Sequence, residues 1–423
     1  ICFALSAFIL NFMIYTASAD MENMIAVTGN SGPKVRSDCE ITLRLKDKGG
    51  ISIDLNSKVK TLYGSSIKSQ CTEVLKFFGI WSAELSVNDS GALPFVISAR
   101  LEAAVKKLTD APKEFLPAMS KSNLSESVRD RFRFTRLYLP GNTPGLMINA
   151  GLHSADGIIL DLEDSVAPEK KDEARYLVRN ALRQINFYKA ERMVRINQGQ
   201  RGLEDLDFVI PHHVNLIVIP KCDSPDDVKK VDSRIKELAR KNGIKKYVFL
   251  MPVLESALGV ENAFDIARSS GNIAGMAIGL EDFTADLGVQ RSAEGTESFF
   301  ARSRLVLACK AAGIQPIDSV FSDVNDTEGL RKAALASRAM GFEGMGCIHP
   351  RQIQVIREGF SPTQKEIDRA LEIVEAYRLA RERGLGVVAL GSKMIDPPVV
   401  NRAIKSIELA KVLGLLPESN KQH

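Results

Sequence analysis

Between residues 135 and 348 the chain repeats one pattern eight times: a short apolar run, a turn, then a longer amphipathic stretch. The runs are Thr135–Leu139, Gly157–Leu162, Met193–Ile196, Asn215–Ile219, Tyr247–Val253, Gly275–Gly279, Gln315–Ile317 and Gly344–Ile348. Each is too short for a helix and too uniformly apolar for a strand with one wet face, which predicts strands buried on both faces. The stretches between them, such as Pro168–Leu182, Pro225–Lys241 and Ser298–Ala312, carry helical spacing, and several open on Pro, Asp or Ser and close at Gly. Eight strands alternating with helices predict a (β/α)8 TIM barrel rather than an open doubly wound sheet.

That barrel leaves residues on both sides. The predicted division is an apolar leader or mis-called start over 1–20, a small α+β domain over 21–115 and a linker over 116–130. The barrel follows over 131–360, with a C-terminal helical extension for oligomerisation over 361–423. In the front domain, Glu40–Leu45 and Ile51–Leu55 flank Lys48-Gly49-Gly50, a hairpin signal. A helix is predicted over Ile67–Phe78, a strand over Ala83–Val87, and a second strand over Phe95–Ile97 leading into a helix at Arg100–Leu108. The run Ile1–Tyr15 is apolar and Ala17-Ser18-Ala19 resembles a signal-peptidase site, but no Lys or Arg precedes it. The reading is that Met21 is the natural start, with an export signal or an anchor as the alternatives. Only an exported chain would use the sequons at Asn88, Asn123 and Asn325.

Charge and cysteine usage narrow the function. A net charge of +4, with no basic stripe interleaved with aromatics, argues against a nucleic-acid partner. The six cysteines are scattered without CxxC or zinc spacing, as expected of reduced thiols in a cytoplasmic protein that acts on no membrane. No phosphate-cradling glycine loop and no Gly-x-Ser-x-Gly elbow is present, which excludes hydride transfer and acyl hydrolysis by the usual devices.

Barrel enzymes do their chemistry at the C-terminal ends of the strands. Here those ends carry Asp161, Glu163 and Asp164; Arg195 and Asn197; Lys221; Glu255; Glu281 and Asp282; Asp318; and His349. Any one of these reads equally well as a solvated loop charge or a helix cap, but the barrel converges all of them on one mouth. Carboxylates with few His and no Cys ligands suit a hard cation, Mg2+ or Mn2+. Arg195 has the fork geometry to clamp a substrate carboxylate. A metal holding a hydroxyl or keto oxygen beside its carboxylate stabilises an enolate or alkoxide, the chemistry of aldol or Claisen cleavage.

Leu139-Pro-Gly-Asn142, Asp161-Leu-Glu-Asp164-Ser-Val-Ala-Pro, Val194-Arg195-Ile-Asn197, Pro220-Lys221, Leu254-Glu255-Ser256 and Gly279-Leu-Glu281-Asp282 resemble the HpcH/HpaI aldolase/citrate lyase family. Arg291-Ser-Ala-Glu-Gly-Thr-Glu297, Phe300-Ala-Arg302 and Phe360-Ser-Pro-Thr-Gln-Lys365 are similar to its citrate lyase beta branch in particular. The resemblance implies a Mg2+-dependent lyase that splits a citryl thioester, linked to CoA or to an acyl carrier, into oxaloacetate and an acetyl thioester. It implies Glu255 and Asp282 as metal ligands and Arg195 as substrate-carboxylate binder and catalytic group. Glu163 is implied as a further catalytic group, with Asp164 and Lys221 at the substrate. For Lys221 a structural salt bridge is the equal alternative. Glu281 is expected to face away from Asp282, as neighbours on a strand do, and His349 reads as readily as a cap as a catalyst. Gly391-Ser-Lys-Met394-Ile-Asp396-Pro matches an element whose Asp reaches a neighbouring subunit's site, implying a homo-oligomer, a trimer, with Asp396 as proton donor. Read by itself, Asp396 is a helix N-cap.

The front domain resembles the family's acyl-carrier (gamma) subunit through Ser37-Asp38, Gly50-Ile-Ser-Ile53 and Gly91-Ala-Leu to Ser98-Ala-Arg100-Leu-Glu-Ala-Ala104. The resemblance implies a dephospho-CoA-type prosthetic group within a citrate lyase complex. The serine that carries the group falls at Arg36 when aligned on Asp38, so either Ser37 has taken the role or the domain is unmodified. Rival readings are a malyl-CoA or citramalyl-CoA lyase acting on free CoA esters, and a non-catalytic scaffold subunit.

Overall fold

The computed structural model describes residues 24–416 apart from 293, 383, 385, 391 and 392. The expectations about residues 1–20 therefore lie outside the described residues.

The front domain is a four-stranded sheet, β1 (Ile25–Thr28), β2 (Cys39–Leu45), β3 (Ile51–Ser57) and β4 (Ala83–Asp89), covered by α1 (Lys60–Phe77) and α2 (Pro94–Leu108). Its order is β1-β2-β4-β3, so the expected hairpin across Lys48-Gly49-Gly50 does not form. Instead β4 lies between them, antiparallel to β2 and parallel to β3. Burial explains the choice. β4 buries Ala83, Leu85 and Val87, whereas β3 buries only Leu55 and so takes the edge. The expected strand at Phe95–Ile97 is also overturned, because Pro94 opens α2 there and the helix runs unbroken. Phe-Val-Ile reads as strand locally, but α2 is buried on all sides from Phe95 to Val105, so a run of consecutive apolar residues suits a helix that has no wet face. Ile97, Leu101 and Ala104 face the front domain's own core, and Phe95, Val96 and Ala99 join the barrel's.

The barrel strands are β5 (Thr135–Pro140), β6 (Gly157–Asp161), β7 (Glu191–Arg195), β8 (Leu216–Ile219), β9 (Phe249–Leu254), β10 (Gly275–Ile278), β11 (Gln315–Ile317) and β12 (Met345–Cys347). All eight expected strands are present, parallel and in sequential order, with β12 returning to pair β5. The ring closes where Asp318 N–H donates to Gly344 O at 2.8 Å. One set of strand residues, including Ile159, Met193, Val218, Met251 and Ile317, fills the lumen. The alternate set, including Leu137, Ile158, Leu160, Val194 and Ile217, packs under the surrounding helices.

Buried ion pairs lock the front domain to the helix after β6, α3 (Lys171–Gln184). Arg100 is bidentate to Asp38 (3.0 and 2.9 Å) and also reaches Glu173 at 3.2 Å, with no exposure on either side. Arg179 on α3 holds Glu102, one of its contacts being 3.1 Å. Removing one partner of such a pair strands a buried charge at about 3–5 kcal/mol. The expected linker is pinned as well. Asn123, in the 3-10 turn Lys121–Leu124, is buried and donates to Leu182 O (2.9 Å) and Ile185 O (2.7 Å), capping the end of α3. In this fold that sequon is inaccessible.

The C-terminal extension is α4 (Gln364–Glu382), a hairpin of β13 (Val388–Leu390) and β14 (Lys393–Ile395), and α5 (Pro397–Val412), which packs along α4. Among the described residues no helix is long and apolar enough to cross a membrane.

Candidate active site

At the C-terminal mouth of the barrel a cavity of about 450 Å3 is lined by Tyr138, Asp161, Asp164, Arg195, Glu255, Gly279, Asp282 and Asp318, over a floor that includes Arg136, Val253, Ala277 and Gly346. Four of the expected site residues therefore meet in one space. Asp161 and Arg195 end adjacent strands and face each other in register. Arg195 Nε and Nη2 each donate to Asp161 at 2.7 Å, Nη1 lies 3.1 Å from Glu163, and the guanidinium rests over the Tyr138 ring. This corrects the expectation of a free fork: Arg195's bidentate face is occupied by Asp161, leaving Nη1 turned to Glu163 and Asp164. Burial opposes ionisation of Asp161, yet the Arg195 bonds and charge outweigh it and hold its carboxyl below the usual range. Burial raises Glu163, which also accepts from Gln198 Nε2 at 2.8 Å.

Glu255 directly follows β9 and is almost fully buried. Its Oε2 accepts the Lys221 N–H at 3.0 Å, and Lys221 keeps that N–H aimed by adopting a left-handed φ of 46°, a strained conformation for a side chain with a Cβ. Gly279 makes room for the carboxylate: a Cβ there would lie 2.8 Å from Glu255 Oε1. Burial, then the negative charges of Asp282 and Glu163, push Glu255 up to about 8. Lys221 Nζ stands between carboxylates, 3.5 Å from Asp282, 3.7 Å from Glu163 and 3.8 Å from Asp164.

These carboxylates fit a divalent cation. A carboxyl held near 8 by burial and then by neighbouring anions is relieved by a dication, and the donors are all hard oxygens. Among the described residues no group of three His, Cys, Asp or Glu is close enough to hold an ion alone. A metal at Glu255 and Asp282 would thus be completed by water and substrate oxygens, the sparse protein shell that Mg2+ accepts.

Other expectations about the site are revised. Strand six stops at Ile278, so Glu281 and Asp282 sit in the first turn of the helix Leu280–Asp286, not on a strand. Both line the cavity but take different partners, Asp282 facing Lys221 Nζ and Glu281 pairing with Arg291 at 2.6 Å. His349 is a cap: its Nδ1 accepts the Arg351 N–H at 3.1 Å. Asp396 caps α5, accepting the Val399 N–H at 3.2 Å, and does not line this chain's own cavity. Gly391 and Ser392 of its motif fall outside the described residues. Ser37 has a left-handed φ of 56° in a loop seated on the barrel, where the Arg36 carbonyl lies 2.8 Å from the place of a Cβ on Gly145. Asp161 and Gly279 were legible as parts of motifs but without the roles they take here, and nothing in the chain's local pattern marked Arg136.

The family model for HpcH/HpaI aldolase/citrate lyase matches residues 135–350, and the model described as malonate decarboxylase delta subunit (MdcD) matches 28–108. The citrate lyase subunit beta of Escherichia coli K12 is 37% identical over 293 residues, covering 69% of this chain and 97% of that protein. The mitochondrial citramalyl-CoA lyase of Homo sapiens is 32% identical over 287 residues, covering 65% of this chain and 84% of its own. The crystal structure of CitE from Mycobacterium tuberculosis with magnesium, acetoacetate and coenzyme A superposes with a TM-score of 0.57 at 29% identity, over 67% of this chain and 99% of that one.

Proposed function

We propose that this chain, which belongs to the HpcH/HpaI aldolase/citrate lyase family, is a Mg2+-dependent carbon–carbon lyase that splits a citryl thioester into oxaloacetate and an acetyl thioester. The observation that carries the reading is the buried Glu255 carboxyl, pushed up to about 8 beside Asp282, at a barrel mouth that also presents Arg195. The relatives named above, a citrate lyase subunit and a CoA-ester lyase, support the same chemistry. Bound at Glu255 and Asp282, Mg2+ would polarise the hydroxyl and carboxylate oxygens of the hydroxy acid.

The chain's own residues supply the rest. Arg195 Nη1, its guanidinium braced by Asp161, orients the substrate carboxylate. Glu163, raised by burial, takes the hydroxyl proton as the carbinol becomes a ketone and the bond to the thioester methylene breaks. The electron pair left on that methylene takes a proton, and the donor we assign is Asp396 of a neighbouring copy in a homotrimer. Asp164 and Lys221 screen the charge in between and help hold the substrate. Magnesium in the M. tuberculosis relative supports the metal, and its coenzyme A supports a thioester partner.

The front domain, locked by Arg100 and Arg179 and lacking a serine at position 36, supports a CoA ester arriving from solution over an acyl group swung in on a Ser37-linked arm. That same observation favours, as the second reading, a malyl-CoA or citramalyl-CoA lyase. The test is release of oxaloacetate, glyoxylate or pyruvate from citryl-, malyl- and citramalyl-CoA, with Mg2+ and with chelator. Cleavage of citryl-CoA that chelator abolishes, and that is lost in Asp282→Ala, is expected. A normal rate in that variant would overturn the metal assignment, and no cleavage of any ester would overturn the function.

A further inference from the structure

The cavity floor holds a charge that the catalytic assignment does not use. Arg136, on β5, is 1% exposed and lines the cavity from below. Its in-register neighbours on both adjoining strands are glycines, Gly157 on β6 and Gly346 on β12. A Cβ at 157 would stand 2.5 Å from Met193 Cε and 3.4 Å from Arg136 Cγ, and one at 346 would press on Val320 at 2.7 Å, so neither neighbouring position has room for a side chain beside Arg136.

Among the described residues no carboxylate answers this cation. Nη1 donates only to the Met251 sulfur at 2.9 Å, a weak acceptor, and Nε has no partner. Asp318, whose field it feels, is ion-paired to Arg302. The other fully buried arginines differ: Arg100, Arg133 and Arg179 each hold a buried carboxylate, and Arg192 donates to His213 O, Ser125 O and Ser125 Oγ. Burial lowers Arg136 to about 10, which leaves it a cation at neutral pH. A buried, unpaired charge is costly, and an anion that reaches it is held strongly because the surroundings are of low dielectric.

We propose that Arg136 is a carboxylate anchor at the cavity floor that takes the second free carboxylate of a dicarboxylic acyl group, and so selects citryl over malyl or citramalyl thioesters. The inference rests on the lyase reading above. A citryl thioester has two free carboxylates, one on the carbinol carbon and one at a chain end, and oxaloacetate keeps both. Malyl and citramalyl thioesters, like glyoxylate and pyruvate, have only the first. The metal carboxylates and Arg195 account for that first one. For the second, the cations at the mouth are engaged, Arg195 by Asp161 and Lys221 by three carboxylates, and Arg136 is the lining cation without such a partner.

The test compares kcat/KM on citryl-CoA and citramalyl-CoA for the wild type, Arg136→Met and Arg136→Lys. The citryl preference is expected to fall about 10- to 100-fold in Arg136→Met, the worth of a charge-assisted hydrogen bond, and less in Arg136→Lys. An unchanged ratio, or equal losses on both esters, overturns the anchor. If the wild type cleaves neither ester, the functional reading fails instead, and thermal shift decides on Arg136 alone. Oxaloacetate should then raise the wild-type Tm more than pyruvate does, with that difference lost in Arg136→Met; equal shifts in the wild type overturn the anchor. Should Arg136→Met not fold, Arg136→Lys carries both comparisons, with a reduced preference expected and an unchanged one overturning it.

Discussion

Replacing Gly279 by alanine isolates the placement of one carboxylate. The residue follows β10 and caps the helix Leu280–Asp286 with φ −108° and ψ 100°, a backbone that alanine adopts freely, so the change acts only through its methyl group. That methyl would lie 2.7 Å from Glu255 Cγ, 2.8 Å from Oε1 and 3.1 Å from Cδ, whereas ordinary contact begins near 3.4 Å. Glu255 must therefore retreat by about 0.7 Å, the gap between those contact distances. The retreat stretches or breaks the 3.0 Å bond from the Lys221 N–H. Overpacking of this kind costs about 1–3 kcal/mol of stability, within what a folded barrel tolerates. The catalytic cost is larger, since a displacement near 1 Å at a reacting centre lowers rates by about 100-fold. The assay is a Mg2+ titration of citryl-CoA cleavage, paired with calorimetric Mn2+ binding and a thermal melt. We expect weaker metal binding, a kcat lower by about 10- to 100-fold, and a modest fall in Tm. A Gly279→Ala enzyme with wild-type turnover and metal dependence would refute the assignment of Glu255 as a metal ligand.

Three further outcomes follow from the same geometry. Glu102→Gln leaves the buried Arg179 guanidinium with the half-exposed Glu114 as its remaining carboxylate and should cost about 1–3 kcal/mol in urea unfolding, with faster proteolysis of the 109–130 segment as the front domain loosens. Ser37→Gly should raise stability by about 1 kcal/mol by removing the left-handed strain, and the intact mass of the wild-type protein from its native host should show no prosthetic group. His212 is held neutral by burial and by Arg179 and Arg183, which push it down to about 3. The unfolded chain takes up that proton near 6.5, so stability falls as pH drops from 6.5 toward 3, by about 2 kcal/mol at pH 5. His212→Gln should flatten that part of the stability–pH curve, and an unchanged slope would place the acid sensitivity elsewhere.

The barrel was legible because a parallel strand buried on both faces leaves a local mark, a short apolar run such as Gly157–Leu162 bounded by turns. Its chemistry was legible because strand ends in such a barrel converge whatever their spacing in the chain, which brought Arg195, Glu255 and Asp282 together from separate repeats. The front domain misled at two points for a shared reason. The Gly-Gly turn after β2 and the Phe-Val-Ile run in α2 are local signals, and long-range burial overrode both.

What the chain's order of residues determines by itself is therefore the architecture, the location of the mouth and the residue types gathered there, since each follows from periodicity and from which end of a strand carries charge. What the tertiary structure decides is which of those charges are engaged. Asp161 occupies Arg195's fork because β6 and β7 happen to register them face to face. Gly279 and the strained Lys221 position Glu255 from two different strands' ends. Among the described residues Arg136 has no carboxylate partner, because closure of the barrel sets glycines beside it on both adjoining strands. Pairing of charges is a property of distances across the fold, and those distances do not exist until the barrel has closed.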